Sequence, residues 1–298
     1  MTAPAPTWRA AVRAAAGLLA DAGVPSPEVD ARLLAEHVAG RSPLLMAPDP
    51  SADQLGALAH LVERRAGREP LQHLTGTMHF RRLELHAGPG AFVVRPETEL
   101  VAGAAIEAAR AVARKGRRPV VVDLCTGSGA IALAVATEVP TAQVAAVELS
   151  AEALAIARRN VERHAPGVRL VAGDARDALP ELDGTCDVVV SNPPYVPDDA
   201  VPRDPEVRDH DPARALYGGG ADGLDVPRAV LARAAALLAP GGVVVLEHAE
   251  EQGAALRAHA DALGLSDPRT HRDLTGRERF LTAGAPLRPA RGVEHSAS

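Results

Sequence analysis

Two short stretches place unusual side chains where a reaction would need them. The first is Asn192-Pro193-Pro194-Tyr195, which ends the apolar run CDVVVS. The chain has only two asparagines, Asn160 and Asn192, and two tyrosines, Tyr195 and Tyr217, so composition alone does not account for this tetrapeptide. An asparagine oxygen accepts hydrogen bonds. Two prolines stiffen the backbone and aim the Pro193 carbonyl as a second acceptor. The tyrosine ring offers a flat face for stacking. Two acceptors and one aromatic plane suit a planar, conjugated NH2 group, whose delocalised lone pair makes it a poor nucleophile. Accepting both N–H groups favours positive charge growing on that nitrogen, so the pair acts most strongly in the transition state of a methyl transfer. Asn192, Pro193 and Tyr195 are therefore the catalytic candidates, and Pro194 joins them in holding the substrate.

The second stretch is DLCTGSG, Asp123 to Gly129, which joins an apolar strand to a helix. Glycines there let the backbone pass close to a ligand that a Cβ would strike. Gly127-x-Gly129-x-x-Ala132 fits the permissive dinucleotide fingerprint, a weak signal by itself. Glu148 ends the next strand, about 20 residues on, where an acid can accept from ribose hydroxyls. Asp174 ends the third strand, LVAGD, where a carboxylate can accept from an adenine amine. Polar groups at three successive strand ends point to an adenosine-containing cofactor, NAD or S-adenosylmethionine. Hydride transfer makes no obvious use of Asn-Pro-Pro-Tyr, so NAD is the poorer alternative and S-adenosylmethionine the better fit. Intact Asn192 and Pro193 argue against a non-catalytic binding module. The glutamine amide and the exocyclic amine of adenine satisfy this geometry equally.

These residues need a scaffold. Residues 7–22, 27–40 and 51–67 carry apolar stripes at helical spacing: Trp8, Ala15, Leu18 and Leu19, then Val29, Leu33, Leu34 and Val38, then Leu55, Leu58, Leu61 and Val62. Ser51 and Gln54 form a capping-box pair. Three short amphipathic helices bury their stripes only against one another, so residues 1–70 read as a small helical domain. HFRRLELHAGPGAFVVRP reads as two strands around a Gly-Pro-Gly turn, and a helix over 97–115 follows. From Pro119 the chain alternates near-continuous apolar strands with helices, the signature of a parallel sheet covered on both faces. A hairpin over about 268–283 closes the sheet edge, and the Pro- and Ser-rich tail is expected to be disordered.

Bulk properties set bounds. Net charge is -6, which disfavours a nucleic-acid footprint. Lys115 is the only lysine, so RKGRR at 114–118 reflects an arginine-rich composition and forms a solvated linker. No apolar run reaches membrane-spanning length and no secretory leader opens the chain. Cys125 and Cys186 form neither a disulfide framework nor a zinc cluster, so no metal is expected and a cytoplasmic setting follows.

VVDLCTGSGAIALAVA, VELSAEALAIARRN, VVSNPPYVP and LAPGGVVVLEH resemble the class I S-adenosylmethionine-dependent methyltransferases of the PrmC/HemK group. More specific are Arg95-Pro-Glu-Thr-Glu99, EVRDHDPARALYGGGADGLD at 206–225, and DLTGRERF near the end. Together these span about Thr75 to Leu281. The resemblance implies an α/β fold: a Rossmann-like class I methyltransferase sheet (97–284) with a small N-terminal helical domain (1–70) joined by a β-hairpin linker (71–96), and a tail from 285. It implies N5 methylation of the glutamine in the Gly-Gly-Gln motif of class I peptide-chain release factors, by a monomer, without nucleic acid or membrane. Cys125, Thr126, Gly127, Ser128, Gly129, Glu148, Asp174, Ala175, Asn192 and Phe92 would line the cofactor. Arg95, Glu97 and Glu99 would pin the linker to the catalytic domain, the hairpin acting as hinge. Cys125 stands where the family has Gly, Val94 where it has Pro, and Leu246-Glu247-His248-Ala249 where it has Leu-Glu-Ile-Gly. Ala175 stands where some members carry an aromatic.

Overall fold

The computed structural model describes residues 7–40, 44 and 47–287. In chain order the elements are α1 (Trp8–Asp21), α2 (Pro27–Ala39), α3 (Ala52–Ala66), α4 (Leu71–Thr75), β1 (Thr77–Phe80), β2 (Leu83–His86), α5 (Thr98–Ala113), β3 (Val120–Leu124), α6 (Ala130–Glu138) and β4 (Gln143–Glu148). There follow α7 (Ala151–His164), β5 (Arg169–Ala172), β6 (Cys186–Ser191), α8 (Pro205–His210), α9 (Ala213–Leu216), α10 (Asp225–Leu237), β7 (Leu238–Glu247), α11 (Gly253–Ala262), β8 (Ser266–Arg272) and β9 (Glu278–Gly284). They form two compact units. One takes in the helices through Met78 together with Ala87–Pro89 and Val201–Asp211; the other takes in His79–His86, Gly90–Ala200 and the chain from Pro212 onward.

The helical unit buries Trp8, Leu19, Leu34, Leu58, Val62 and Leu74 in one cluster. Leu18 and Val29, expected on the apolar stripes, are 60% and 47% exposed, because each stripe is narrower than the periodicity implied. Ser51 Oγ accepts from the Gln54 amide at 3.2 Å while Gln54 Oε1 accepts from the Ser51 amide at 3.0 Å, so the capping box starts α3 as expected. An ion-pair chain ties α8 into this unit: Asp30 to Arg65 at 2.8 Å, and Glu206 to Arg65 at 2.8 Å and to Arg68 at 2.6 Å. Burial works to raise the Glu206 carboxyl, but the Arg68 and Arg65 guanidiniums outweigh it and hold it down at about 2.

The second unit is built on a seven-stranded sheet of order β5-β4-β3-β6-β7-β9-β8. The first five of these strands are parallel, and β9 runs antiparallel between β7 and β8. Every residue of β6 is buried, as a strand covered on both faces requires. Chain order reverses on either side of β3, so the crevice at its carboxyl end is the natural ligand site of such a sheet. Register fixes what emerges there. Leu124 pairs with Val147 and Ser191, and Ser191 pairs with Leu246. The next residue on each strand is Cys125, Glu148, Asn192 and Glu247, four neighbours along one edge. Because β3 and β6 are parallel neighbours, Cys125 and Cys186 lie at opposite edges, and both are free.

Three local details differ from the sequence expectation. The hairpin turns at Arg81–Arg82, not at Gly88-Pro89-Gly90. Arg81 takes φ 53, and its amide and guanidinium are held by Glu99 and Glu138, which stabilises a turn that lacks turn residues. Gly90 instead lets the chain pass over α7, where a Cβ would lie 2.6 Å from that of Glu152. Second, α4, α8, α9 and α11 are helices that periodicity did not single out. Third, Ala285 still pairs with Gly241 and Gly242; residues 288–298 of the expected disordered tail lie outside the described residues.

Candidate functional site

The glycine turn is shaped by Asp123, a wholly buried carboxylate at the end of β3. Its Oδ2 accepts from Thr126 Oγ1 at 2.6 Å and from the Ala132 amide at 3.1 Å. Burial nevertheless pushes the Asp123 carboxyl up to about 7. Cys125, Gly127 and Gly129 all take left-handed φ, at 60°, 58° and 87°. A non-glycine residue in that region is strained, which explains why glycine suits position 125. Burial, then the nearby charge of Glu148, push the Cys125 thiol up to about 12, so it stays protonated and unreactive. Glu148 completes the turn: Oε2 accepts from the Gly127 amide and Oε1 from the Ser150 amide, each at 2.8 Å. Each carboxylate oxygen keeps a further lone pair for a ligand hydroxyl.

Two features leave this turn open to a ligand, as an adenosine-containing cofactor requires. Ser128 Oγ is buried with no hydrogen-bond partner among the described residues, an orphan donor beside the turn. A Cβ on Gly127 would meet no protein atom within 4 Å, so the space in front of the turn is open to a ligand. The remaining candidates are placed less directly. Asp174 is gripped by Arg176, whose guanidinium and amide donate to it at 2.5–3.0 Å, which lowers its pKa. Ala175 is buried in the main core cluster. Phe92 is half-buried, with the Arg95 guanidinium 5.0 Å from its ring centroid. Thr126 spends its hydroxyl hydrogen on Asp123.

Asn192 to Tyr195 leaves β6 at the same edge. Asn192 Nδ2 donates to Thr98 Oγ1 at 3.4 Å. That uses one of the two N–H groups of the carboxamide and turns its nitrogen end toward Thr98, and Oδ1 is its acceptor end. Among the described residues neither Asn192 Oδ1 nor the Pro193 carbonyl receives a hydrogen bond. The Tyr195 hydroxyl donates to Glu247 Oε1 at 3.3 Å, which orients the ring. Burial, then the Glu247 charge, raise the Tyr195 phenol and keep it neutral. Glu247 is fully buried, and burial pushes its carboxyl up to about 7.

Several supporting residues escaped the sequence reading. Gln252 holds the Tyr195 carbonyl. Gly218 and Gly223 press so closely on the loop that a Cβ would lie 2.8 Å from the Tyr195 Cα and 2.3 Å from the Tyr195 oxygen, respectively. Steric need for bare backbone thus explains the glycines of YGGGADGLD. Asn160, the other asparagine, is fully buried and bonds the His86 amide, the His86 carbonyl and the Ser128 carbonyl, anchoring β2 and the glycine turn to α7. Of the expected linker pins, Glu99 accepts from the Arg81 amide at 2.8 Å and Glu97 lies 3.9 Å from Arg279. The scarcity of asparagine was a usable signal for Asn160; Thr98 was visible only as part of Arg95-Pro-Glu-Thr-Glu99, with no role of its own, and Gln252 carried no signal.

Known proteins resemble this arrangement. The PrmC N-terminal domain family matches residues 10–76, and the Methyltransferase small domain family matches residues 100–204. The release factor glutamine methyltransferase of Streptomyces coelicolor is 52% identical over 273 residues, covering 90% of this chain and 95% of its own length. A 4-amino-L-phenylalanine/4-methylamino-L-phenylalanine methyltransferase of Streptomyces pristinaespiralis is 43% identical, covering 89% of this chain and 90% of its own. Among solved structures, a T. thermophilus 16S rRNA methyltransferase in complex with AdoMet and guanosine matches with a TM-score of 0.50 and 25% identity, covering 70% of this chain and 49% of that one.

Proposed function

This chain belongs to the release factor glutamine methyltransferase family, and from that premise we propose how its own residues carry the reaction. The enzyme transfers a methyl group from S-adenosylmethionine to the side-chain amide of a release-factor glutamine. We place that glutamine in the Gly-Gly-Gln motif of class I peptide-chain release factors. S-adenosylmethionine, when bound, supplies a methyl group activated by a positively charged sulfur.

Within the turn the Thr126, Gly127 and Gly129 amides are bonded to Val147, Glu148 and Thr126, so the group it offers the cofactor is the Ser128 hydroxyl, and Cys125 shapes the turn that presents it. Glu148 accepts from ribose hydroxyls with the lone pairs that Gly127 and Ser150 leave over. Asp174 and Ala175 flank the adenine, and Phe92 lies beside the cofactor. Asn192 Oδ1 and the Pro193 carbonyl accept the two N–H groups of the glutamine amide. Pro194 stiffens the loop and Tyr195 stacks on the amide plane. Neither acceptor can take up a proton. The nitrogen therefore keeps both hydrogens through the transfer and loses one to water afterwards. Hydrogen bonds from these oxygens strengthen as nitrogen becomes positive, which selects the transition state over the bound amide.

The observation that carries this reading is the commitment of Asn192 Nδ2 to Thr98 at the sheet edge shared with Glu148. The helical unit grips the release factor, the second unit carries the chemistry, and the hairpin residues join them. Net charge of -6 supports a protein partner over nucleic acid. No helix among the described residues is long and apolar enough to cross a membrane; we place the enzyme in the cytoplasm, working as a monomer.

The relatives act on planar amines of different kinds, so the test offers each. Purified enzyme with methyl-labelled cofactor is given release factor, 4-amino-L-phenylalanine, DNA or RNA. Label is expected on the release-factor glutamine; label on the aryl amine or nucleic acid with none on release factor rejects the reading. Asn192→Ala is expected to lower kcat about 100–1,000-fold, the cost of removing one such preorganised group, while cofactor affinity holds.

A further inference from the structure

Gln252 lies outside every motif assigned to the reaction, just before α11, and is 6% exposed. Its carboxamide is used at both ends. Nε2 donates to the Tyr195 carbonyl and to the Asp222 carbonyl, each at 2.8 Å, and Oε1 accepts from the Ala249 amide at 2.9 Å. A carboxamide has two N–H donors on one end and an acceptor oxygen on the other, so these three bonds fix which way it faces. Two carbonyls, from the Asn-Pro-Pro-Tyr loop and from the glycine-rich loop, thus converge on one NH2. Their backbones are also in close contact, since a Cβ on Gly223 would lie 2.3 Å from the Tyr195 oxygen.

We infer that Gln252 is the positioning residue for the acceptor pair: it fixes the far end of the Asn192–Tyr195 loop and so sets where the Pro193 carbonyl points. The inference rests on the acceptor roles proposed above. At the near end, Asn192 is held by the β6 register and by Thr98. Between the two ends, Pro193 and Pro194 have locked φ angles. A four-residue segment pinned at both ends, with two torsions preset, has little freedom left. The same peptide plane is also held through the Val196 amide, which donates to the Leu216 carbonyl at 2.8 Å; Gln252 sets the carbonyl side of that plane, and without its donor the Tyr195 and Asp222 carbonyls face each other as like dipoles. None of the partners of Gln252 belongs to the Cys125–Gly129 turn or to Glu148, so the cofactor contacts made there do not depend on it.

Gln252→Glu keeps the shape but replaces the donor with an acceptor. In the full-length enzyme with release factor, kcat is expected to fall about 100-fold, the cost of roughly 1 Å of misplacement, while the Kd for S-adenosylmethionine stays within about twofold. A carboxyl buried against two carbonyls has a raised pKa, and its protonated form regains one O–H donor. The ratio of variant to wild-type kcat is therefore expected to rise as pH falls, which a merely structural defect would not produce. Gln252→Ala, which no pH restores, should show a flat ratio at a similarly low kcat. A wild-type kcat in both variants, or a loss of kcat matched by an equal loss of cofactor affinity, overturns the inference. So does a flat pH ratio for Gln252→Glu. Asn192→Ala, measured alongside, separates the two readings: if it is slow while Gln252→Glu is normal, only the role of Gln252 fails. If Asn192→Ala is itself at the wild-type rate, the acceptor pair fails and the role of Gln252 fails with it.

Discussion

Two loops leave the same edge of the sheet, and they are held in different ways. The turn from Cys125 to Gly129 is organised from nearby: Asp123 sits three residues from Thr126, and Glu148 sits 21 residues from Gly127. The Asn192–Tyr195 loop is organised mainly from afar, by Thr98, Glu247 and Gln252, at separations of 94, 52 and 57 residues, with one nearer tie just beyond it where the Val196 amide donates to the Leu216 carbonyl. One loop carries most of its geometry in its own backbone conformations, with Asn160 holding the Ser128 carbonyl from 32 residues away; the other borrows most of its geometry from three distant elements. Cofactor affinity and turnover should therefore respond to different sets of residues.

The sharpest way to break this contrast uses two glycines. On Gly223 a Cβ would lie 2.3 Å from the Tyr195 oxygen and 2.8 Å from the Pro197 nitrogen, and φ is 70°. Backbone atoms cannot swing aside as a flexible side chain can. Gly223→Ala is expected to displace the loop and lower kcat about 100-fold, with Kd for S-adenosylmethionine unchanged. Gly127→Ala meets no protein atom within 4 Å, so its cost is limited to about 1–2 kcal/mol for a side chain at φ 58, and it should weaken cofactor binding instead. Steady-state kinetics and calorimetric titration on both variants decide the matter. If both lower the same parameter, the two loops form a single functional element and the contrast dissolves.

The same contrast explains what the sequence made legible. Strands, the glycine turn and Glu148 follow from periodicity and local chemistry, and the register of β3, β4 and β6 delivers them to one edge. Asn192 to Tyr195 stood out because asparagine and tyrosine are scarce. Thr98 and Gln252 did not, because nothing in their neighbours in sequence hints at Asn192 or Tyr195; only folding brings them within 3.4 and 2.8 Å. Gly218 and Gly223 were visible as part of a specific motif, but their reason is the backbone they press against. The misplaced hairpin turn has the same origin. Gly-Pro-Gly is the stronger local signal, yet Glu99 and Glu138 stabilise Arg81 in a left-handed turn from outside it.

A smaller effect tests the locally organised side. Glu148→Ala removes an acceptor for ribose hydroxyls and also frees the Gly127 and Ser150 amides. Both losses act on the cofactor side. A hydrogen bond to a charged group is worth about 1.5–3 kcal/mol, so Kd for S-adenosylmethionine should rise about 10–100-fold. At saturating cofactor, kcat should stay near wild type. A large fall in kcat under saturation would mean that Glu148 also shapes the Asn192 loop, and that the turn is less self-contained than its bonds imply.

The smallest effect concerns Cys125 itself. It holds φ 60, where a side chain is disfavoured, in a turn that otherwise uses Gly127 and Gly129 at the same kind of angle. Relief of that strain favours Cys125→Gly by about 1–2 kcal/mol. Two terms oppose it. Glycine gains freedom in the unfolded chain, worth up to about 1 kcal/mol, and the half-buried sulfur loses its packing against the core. The net expectation is a small gain, a rise in Tm of about 2 °C, with cofactor affinity unchanged or tighter. Thermal unfolding with and without S-adenosylmethionine measures both quantities. A lowered Tm would show that the sulfur's contacts with the core outweigh the backbone strain, so that even this turn depends on more than its own conformation. A raised Tm with weakened binding would show that the cysteine side chain, and not only the backbone beneath it, faces the cofactor.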